Sequence, residues 1–126
     1  MNLLDKIGGP DKLKDILTDF YNSMFDDIMV GFLFQNTDKT HIINMQFEFL
    51  CKFFGATKAY SGKSPAVAHK HLPILPGHFD RRIQILRKTL VQHHVPDTAI
   101  EEWISKENSL RSIILGNSAH HFEKKE

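Results

Sequence analysis

Residues 8–27, GGPDKLKDILTDFYNSMFDD, carry the clearest helix signal in the chain. Gly8 and Gly9 precede Pro10, which is favoured at the first position of a helix because it has no N–H group to leave unpaired. The apolar side chains that follow recur every three or four residues: Leu13, Ile16, Leu17, Phe20, Tyr21, Met24 and Phe25. This spacing predicts an amphipathic helix over about 11–27, with one face in a hydrophobic core.

A second helix is predicted in the region that ends near Gly55, because glycine commonly follows the last turn of a helix. Its apolar stripe again recurs three or four residues apart and contains a single polar member, Gln46. The stripe consists of Ile42, Met45, Gln46, Phe49, Leu50 and Phe53.

Two further helices are predicted in the second half of the chain. One runs from Phe79 to about His93, with Arg82 bordering a stripe of Ile83, Leu86 and Leu90. The other follows a capping box formed by Thr98 and Glu101, and continues to Gly116. Its apolar positions are Ile100, Trp103, Ile104, Leu110, Ile113 and Ile114.

The rest of the sequence favours irregular structure. Glycines and prolines interrupt residues 55–65 and 70–78, and no segment shows the sustained alternation of a strand. We therefore predict an all-α fold of four substantial helices with an irregular middle. One domain is expected over 1–116, followed by a polar tail over 117–126.

Composition narrows the classes of function. The 126 residues suit one domain, and the net charge of +1 with interspersed charges gives no basic stripe for a nucleic acid. No segment approaches the roughly 18 consecutive apolar residues of a membrane span. We expect a cytoplasmic protein with no nucleic acid or membrane partner. The single cysteine, Cys51, excludes an internal disulfide.

The eight histidines raise the question of a metal. His69 and His71 are two residues apart, and His93 and His94 are adjacent, so neither pair follows the spacing of a zinc site on a helix. A single histidine can nevertheless be the whole protein contribution to an iron whose other ligands come from a porphyrin. His69 lies on a short predicted turn between two loops, where it could approach such a cofactor.

A haem would also need an apolar wall with a few polar groups. Phe34, Ile42, Phe49, Phe53 and Phe79 could form that wall, and Tyr21 and Gln46 are polar exceptions within apolar stripes. Each exception has a simpler interpretation as well. A tyrosine can hydrogen-bond at the edge of a core, and a glutamine can be half exposed. The spacing of these residues alone makes haem no more than one candidate cofactor.

The order of these features resembles the truncated haemoglobins, the two-over-two globins, and is closest to their first group. The resemblance extends from about Leu4 to Ile114. It includes the opening LLDKIGG, the Phe-Tyr pair in DFYNSMFDDIMVGFLF, and the distal-helix segment MQFEFLCKFFGATKAYSG. In YSGKSPAVAHKHLPILPGHF, a histidine nine residues after the tyrosine and five before an isoleucine matches the proximal ligand, which selects His69 over His71.

The resemblance implies a site residue by residue. His69 becomes the proximal iron ligand, Phe34 the ring packed on the haem, and Tyr21 and Gln46 the distal hydrogen-bond donors. Ile42 takes the distal-helix position nearest the ligand, and Lys63 is expected at a propionate, with Lys39 and Lys70 as alternatives. The implied haem contacts also include Met45, Phe49, Phe53, Ile74, Phe79, Arg82 and Leu86.

Two departures accompany the resemblance. Arg82 stands where other members have tryptophan or a small apolar residue, and a guanidinium in a distal pocket costs several kcal/mol unless it is paired or hydrated. It could instead turn outward to a propionate. Ala56 replaces the family's usual second glycine after the distal helix.

The implied activity is binding of O2, NO or CO at a pentacoordinate haem b iron, for oxygen transport, storage or sensing. Two alternatives remain open. The first is a haem enzyme that oxidises nitric oxide or reduces peroxide, which would need a separate reductase. The second is an electron-transfer protein in which Met45 or His41 is a sixth iron ligand. A monomer or weak dimer is expected. If the chain does not belong to this family, the remaining interpretation is a helical interaction module that binds no haem.

Overall fold

The computed structural model describes residues 1–55 and 74–123, with side chains described as far as residue 115. These residues contain five α-helices and one 3₁₀ turn, and no strand. Their bounds are α1 Leu3–Ile7, α2 Pro10–Asp26, the 3₁₀ turn Gly31–Phe34, α3 Lys39–Phe53, α4 Pro76–Gln92 and α5 Asp97–Glu123.

Two helix pairs form the body of the fold. Helix α2 packs against both α3 and α4, and α4 packs against α5, while the short α1 contacts α2 and α5. The core between these helices contains Trp103, Phe20 and Leu13, each at most 1% exposed. The predicted all-α class is therefore confirmed in the part of the chain that the structure describes.

The short helix α1 is held in place at both ends. The Asn2 side chain accepts a hydrogen bond from the Asp5 backbone N–H at 2.9 Å and donates to the Gly55 carbonyl at 3.3 Å. At the other end, Gly8 and Gly9 have φ of 115° and 92°, which a side-chain-bearing residue adopts only with strain. The resulting tight turn places Pro10 at the start of α2.

Predicted and observed helix bounds agree closely, with differences at the helix ends. Helix α4 begins at Pro76, inside the segment 70–78 that was predicted to be irregular and three residues before the predicted Phe79, because proline is favoured at the first position of a helix. The helix predicted over 11–27 is Pro10–Asp26. Helix α5 begins at Asp97, so Thr98 lies inside the first turn and is not the N-cap. The same helix also continues past Gly116 to Glu123, because a glycine costs a helix interior only about 1 kcal/mol relative to alanine. Helix α1 and the 3₁₀ turn were not predicted.

Across residues 1–55 and 74–123, no helix has the length and apolar character needed to cross a membrane.

Candidate functional site

Tyr21 lies on α2 and is only 2% exposed. Its ring meets Phe20 edge to face, with centroids 4.9 Å apart, and meets Phe34 in the same way at 6.2 Å. Phe34 in turn stacks on Phe25, at 4.7 Å and an interplanar angle of 18°. The predicted distal tyrosine and the predicted haem-packing phenylalanine are thus neighbours in one aromatic group.

The 3₁₀ turn brings Phe34 to this position through a close backbone approach. A Cβ on Gly31 would lie 2.7 Å from the carbonyl oxygen of Phe25, so the turn can approach α2 this closely only with glycine there. Asp27 fixes the preceding loop, because one of its carboxylate oxygens accepts from the backbone N–H groups of Met29 and Val30 at 3.0 and 3.2 Å.

Arg81 on α4 completes the anchoring of this loop. Its Nε and Nη2 donate to the other Asp27 oxygen at 3.0 and 2.7 Å. The hydrogen bond from Arg81 lowers the pKa of Asp27, against the opposing effect of burial. The loop that presents the 3₁₀ turn is therefore tied to α4 by an ion pair.

Helix α3 supplies a wall of half-buried residues. Three of its residues are buried, namely Ile43, Leu50 and Cys51. The stripe that the sequence predicted is instead mostly half-buried at the edge of the core, and it contains Ile42, Met45, Gln46, Phe49 and Phe53. Within it Phe49 and Phe53 stack at 5.4 Å.

A second, smaller cluster of buried side chains forms where α4 begins. It consists of Ile74, Phe79 and Ile114, and the guanidinium of Arg111 lies 5.1 Å from the Phe79 ring. Leu33 and Ile83 are half-buried and pack against both this cluster and the main core. Leu86, also predicted to contact haem, is 1% exposed within the main core.

The described residues fit a flat apolar group. Half-buried phenylalanines and aliphatic side chains pack against the main core, and side chains of this kind predominate in the lining of cofactor sites. Tyr21 and Gln46 are the polar members of the predicted set. Gln46 is half-buried on α3.

Three predicted residues lie outside the described part of the chain: His69, His71 and Lys63. Of the alternative lysines, Lys70 also lies outside it, whereas Lys39 donates to Asn22 at 3.0 Å. Among the residues that are described, no three histidine, cysteine or acidic side chains gather as metal ligands.

Arg82 has a partner that the sequence analysis did not identify. Its Nε and Nη2 donate to the two carboxylate oxygens of Glu107 on α5, each at 3.3 Å. Glu107 is 3% exposed and also accepts from the indole N–H of Trp103 at 3.2 Å. The pairing meets the condition for placing a guanidinium in an apolar region, since an unpaired buried charge is strongly unfavourable.

The same guanidinium contacts α2. Its central carbon lies 4.9 Å from the Phe20 ring centroid. Burial acts to lower the pKa of Arg82, but the charge of Glu107, with a smaller effect of Tyr21, outweighs it and raises the pKa above its ordinary value. Arg82 is thus a permanent cation that is paired with Glu107 and lies over the Phe20 ring.

A sequence signal for Glu107 did exist. It follows Trp103 by four residues and precedes Leu110 by three, so it occupies a core position in the apolar stripe of α5. A carboxylate at such a position requires a buried partner. The partner itself is on another helix and cannot be read from that spacing.

Two helix pairs, with half-buried aromatic residues and an embedded tyrosine and glutamine, define a globin-like helical sandwich. A sequence profile described as bacterial-like globin matches residues 2–115. A group 1 truncated haemoglobin of Tetrahymena pyriformis is 32% identical over 114 residues, which cover 90% of this chain and 94% of that protein. The chain belongs to the truncated globin family.

Solved structures of relatives agree with this assignment. The Fe(III) form of the Tetrahymena pyriformis truncated haemoglobin has a TM-score of 0.85 at 31% identity, covering 90% of this chain and 97% of that one. The 2/2 haemoglobin of Synechococcus sp. PCC 7002, in the cyanomet state with covalently attached haem, has a TM-score of 0.86 at 27% identity. That match covers 92% of this chain and 99% of the relative.

The comparisons confirm two predictions made from the sequence: the truncated globin family and its two-over-two helical fold. They also confirm iron-containing haem as the cofactor of the family, since the relatives are haemoglobins.

Proposed function

We propose that this protein binds haem b through His69 and takes up diatomic ligands, O2 foremost, at the pentacoordinate iron. The observation that supports this most is that Tyr21 and Phe34 share one aromatic group and belong to the same hydrophobic cluster as the half-buried apolar side chains of α3. A hydroxyl next to an apolar wall offers a hydrogen bond to a small polar ligand in an otherwise dry site.

The wall residues would hold the cofactor chiefly by burying its apolar faces. Phe34, Phe49 and Phe53 are half-buried and could each bury more surface against a flat ring. Ile42, Met45, Ile74, Phe79, Arg82 and Leu86 belong to the same proposed contact set. Lys63 is proposed to pair with a propionate.

When bound, the haem supplies an iron centre at which a diatomic ligand gains partial negative charge. The chain's own contribution is to stabilise that charge with donors. The Tyr21 hydroxyl and the Gln46 amide are suited to this, and each net hydrogen bond contributes about 0.5 to 1.5 kcal/mol. Ile42 adds an apolar side chain where the ligand is proposed to lie, and so keeps water from competing for those donors.

The decisive measurement is an absorption spectrum of the protein expressed with excess haemin. We expect a Soret band that is lost in His69→Ala, because that substitution removes the proposed iron ligand. His71→Ala is the matched control, two residues away in the same segment, and should retain the band. Absence of a Soret band from the unsubstituted protein would refute haem binding.

The same sample tests the number of iron ligands. A high-spin spectrum in the unliganded ferrous protein supports a pentacoordinate iron. A low-spin spectrum that becomes high-spin on replacement of His41 or Met45 would instead identify an internal sixth ligand, and would contradict the proposal on that point.

A further inference from the structure

Asp27 determines where the 3₁₀ turn that carries Phe34 begins. Its carboxylate accepts from the backbone N–H groups of Met29 and Val30. Its backbone carbonyl accepts from the N–H of Gly31, the first residue of the turn, at 2.9 Å. These three hydrogen bonds close the loop around Asp27, so a displacement of Asp27 would displace the turn with it.

Arg81 holds Asp27 from the side of α4. Its Nε and Nη2 donate to one Asp27 oxygen at 3.0 and 2.7 Å, and its Nη1 donates to the Gln84 side chain on the same helix at 3.1 Å. The Asp27 side chain is only 10% exposed, so water competes little for its oxygens. A planar guanidinium that donates from three nitrogen atoms has a well-defined direction. The pair therefore fixes the loop relative to α4.

The turn held in this way carries two apolar side chains of the proposed site region. Phe34 is the ring proposed to pack on the haem. Leu33, beside it, packs against both hydrophobic clusters, and the smaller cluster contains Phe79 at the start of α4. In the sequence, α4 also follows the segment that contains His69. The ion pair thus links the turn to the helix that comes after the proposed iron ligand.

We infer that Arg81 is a positioning residue for the haem pocket: through Asp27 it holds the 3₁₀ turn where Phe34 packs on the haem, and so slows the loss of haem. This inference rests on the proposed function. Without Arg81 the loop keeps its own backbone hydrogen bonds but loses its polar attachment to α4. Phe34 would then cover less of the haem on average, and a flat apolar group is retained in proportion to the surface it buries.

The test replaces Arg81, because Asp27 also holds its own loop together and its loss would disturb the loop directly. Arg81→Gln removes the charge and shortens the side chain, whereas Arg81→Lys keeps the charge and should restore part of the effect. The matched control is Arg87→Gln. Arg87 is another arginine of α4, but it is paired with Glu101 on α5 and does not reach the loop.

Two readouts are taken on haem-loaded protein with a normal Soret band. The first is the rate of haem transfer to an excess of haem-free myoglobin, which should rise about two- to tenfold in Arg81→Gln, less in Arg81→Lys, and not in Arg87→Gln. The second is the proton NMR contact between the Phe34 ring and the haem in the CO complex, which should weaken in Arg81→Gln. The contact of Phe49 with the haem should persist, because a general loss of stability would not select Phe34.

A double variant shows whether Arg81 acts through Asp27. If it does, Asp27→Asn/Arg81→Gln should release haem no faster than Asp27→Asn, whereas independent effects would multiply. Multiplying effects, or an unchanged release rate and an unchanged Phe34 contact in Arg81→Gln, would overturn the inference while leaving haem binding intact. Absence of a Soret band from the unsubstituted protein would refute the proposed function itself.

Discussion

Arg82 on α4 and Glu107 on α5 form a buried ion pair with two parallel N–H to oxygen contacts of 3.3 Å. The two residues are 25 positions apart in the sequence, so the pair joins one helix to the next. Removing both charges from such a pair is often neutral, whereas removing one partner is strongly destabilising.

Glu107→Gln should therefore lower the free energy of unfolding by about 3 to 5 kcal/mol, because it leaves the Arg82 guanidinium buried without a counter-charge. Arg82→Met/Glu107→Leu should be much closer to the unsubstituted protein. Urea unfolding followed by circular dichroism, at matched haem content, measures both. Equal losses in the single and double variants would contradict this account of the pair.

Tyr21→Phe should speed the release of O2. The substitution keeps the ring that meets Phe20 and Phe34 and removes only the proposed hydrogen bond, so the dissociation rate should rise roughly two- to tenfold. Stopped-flow displacement of O2 by CO measures the rate. An unchanged rate would remove Tyr21 from ligand stabilisation. Phe25→Leu, which loosens the ring stacked on Phe34 but keeps the Tyr21 hydroxyl, measures the effect of altered packing in the same aromatic group.

Sequence periodicity was sufficient to predict the long helices but not the short elements. The stripe in α2 predicted its bounds to within one residue, since a buried face must recur with the helical period. Helix α1 has only five residues, too few to show that period. It forms because Asn2 caps it and because Leu3, Leu4 and Ile7 are buried against the rest of the protein.

The candidate site was predictable where it follows one helix and not where it crosses between helices. Tyr21 and Gln46 were identified as polar residues in apolar stripes, and such exceptions can be read from a single segment. The pairing of Arg82 with Glu107 depends on how α4 packs against α5. The core position of Glu107 in the stripe of α5 indicates a buried partner, but only the packing of the two helices identifies that partner as Arg82.

Acid should weaken the attachment of the 27–30 loop to α4. The hydrogen bond from Arg81 lowers the pKa of Asp27, so the ionised carboxylate favours the folded state. That stabilisation is complete above the unfolded-state pKa of about 3.9 and is lost as the pH falls below it through the folded value. We expect the difference in unfolding free energy between the unsubstituted protein and Asp27→Asn to be constant from pH 7 to 5 and to shrink towards pH 3.

Asp26→Asn separates this effect from the loss of a negative charge near the end of α2. Asp26 is exposed and precedes Asp27 directly. The comparison requires urea unfolding at several pH values with the same haem content. If the difference in unfolding free energy between Asp27→Asn and the unsubstituted protein were the same at pH 3 as at pH 7, the ion pair with Arg81 would not be its source.

Gly31→Ala should destabilise the protein and disturb the position of Phe34. An added Cβ would lie 2.7 Å from the Phe25 carbonyl oxygen. Because this oxygen belongs to the backbone of α2, it cannot move away as easily as the end of a flexible side chain. Overpacking of this kind costs about 1 to 3 kcal/mol. Because Phe34 follows in the same 3₁₀ turn and meets Tyr21, the substitution should also change the near-ultraviolet circular dichroism of the aromatic group.

Gly77→Ala is the matched control for that substitution. A Cβ there would meet nothing within 4 Å, and the residue lies in the first turn of α4, where alanine is favoured over glycine by up to about 1 kcal/mol. The control should be as stable as the unsubstituted protein or slightly more so. If Gly31→Ala matched it in both the free energy of unfolding and the aromatic spectrum, the close approach of the turn to Phe25 would not be what positions Phe34.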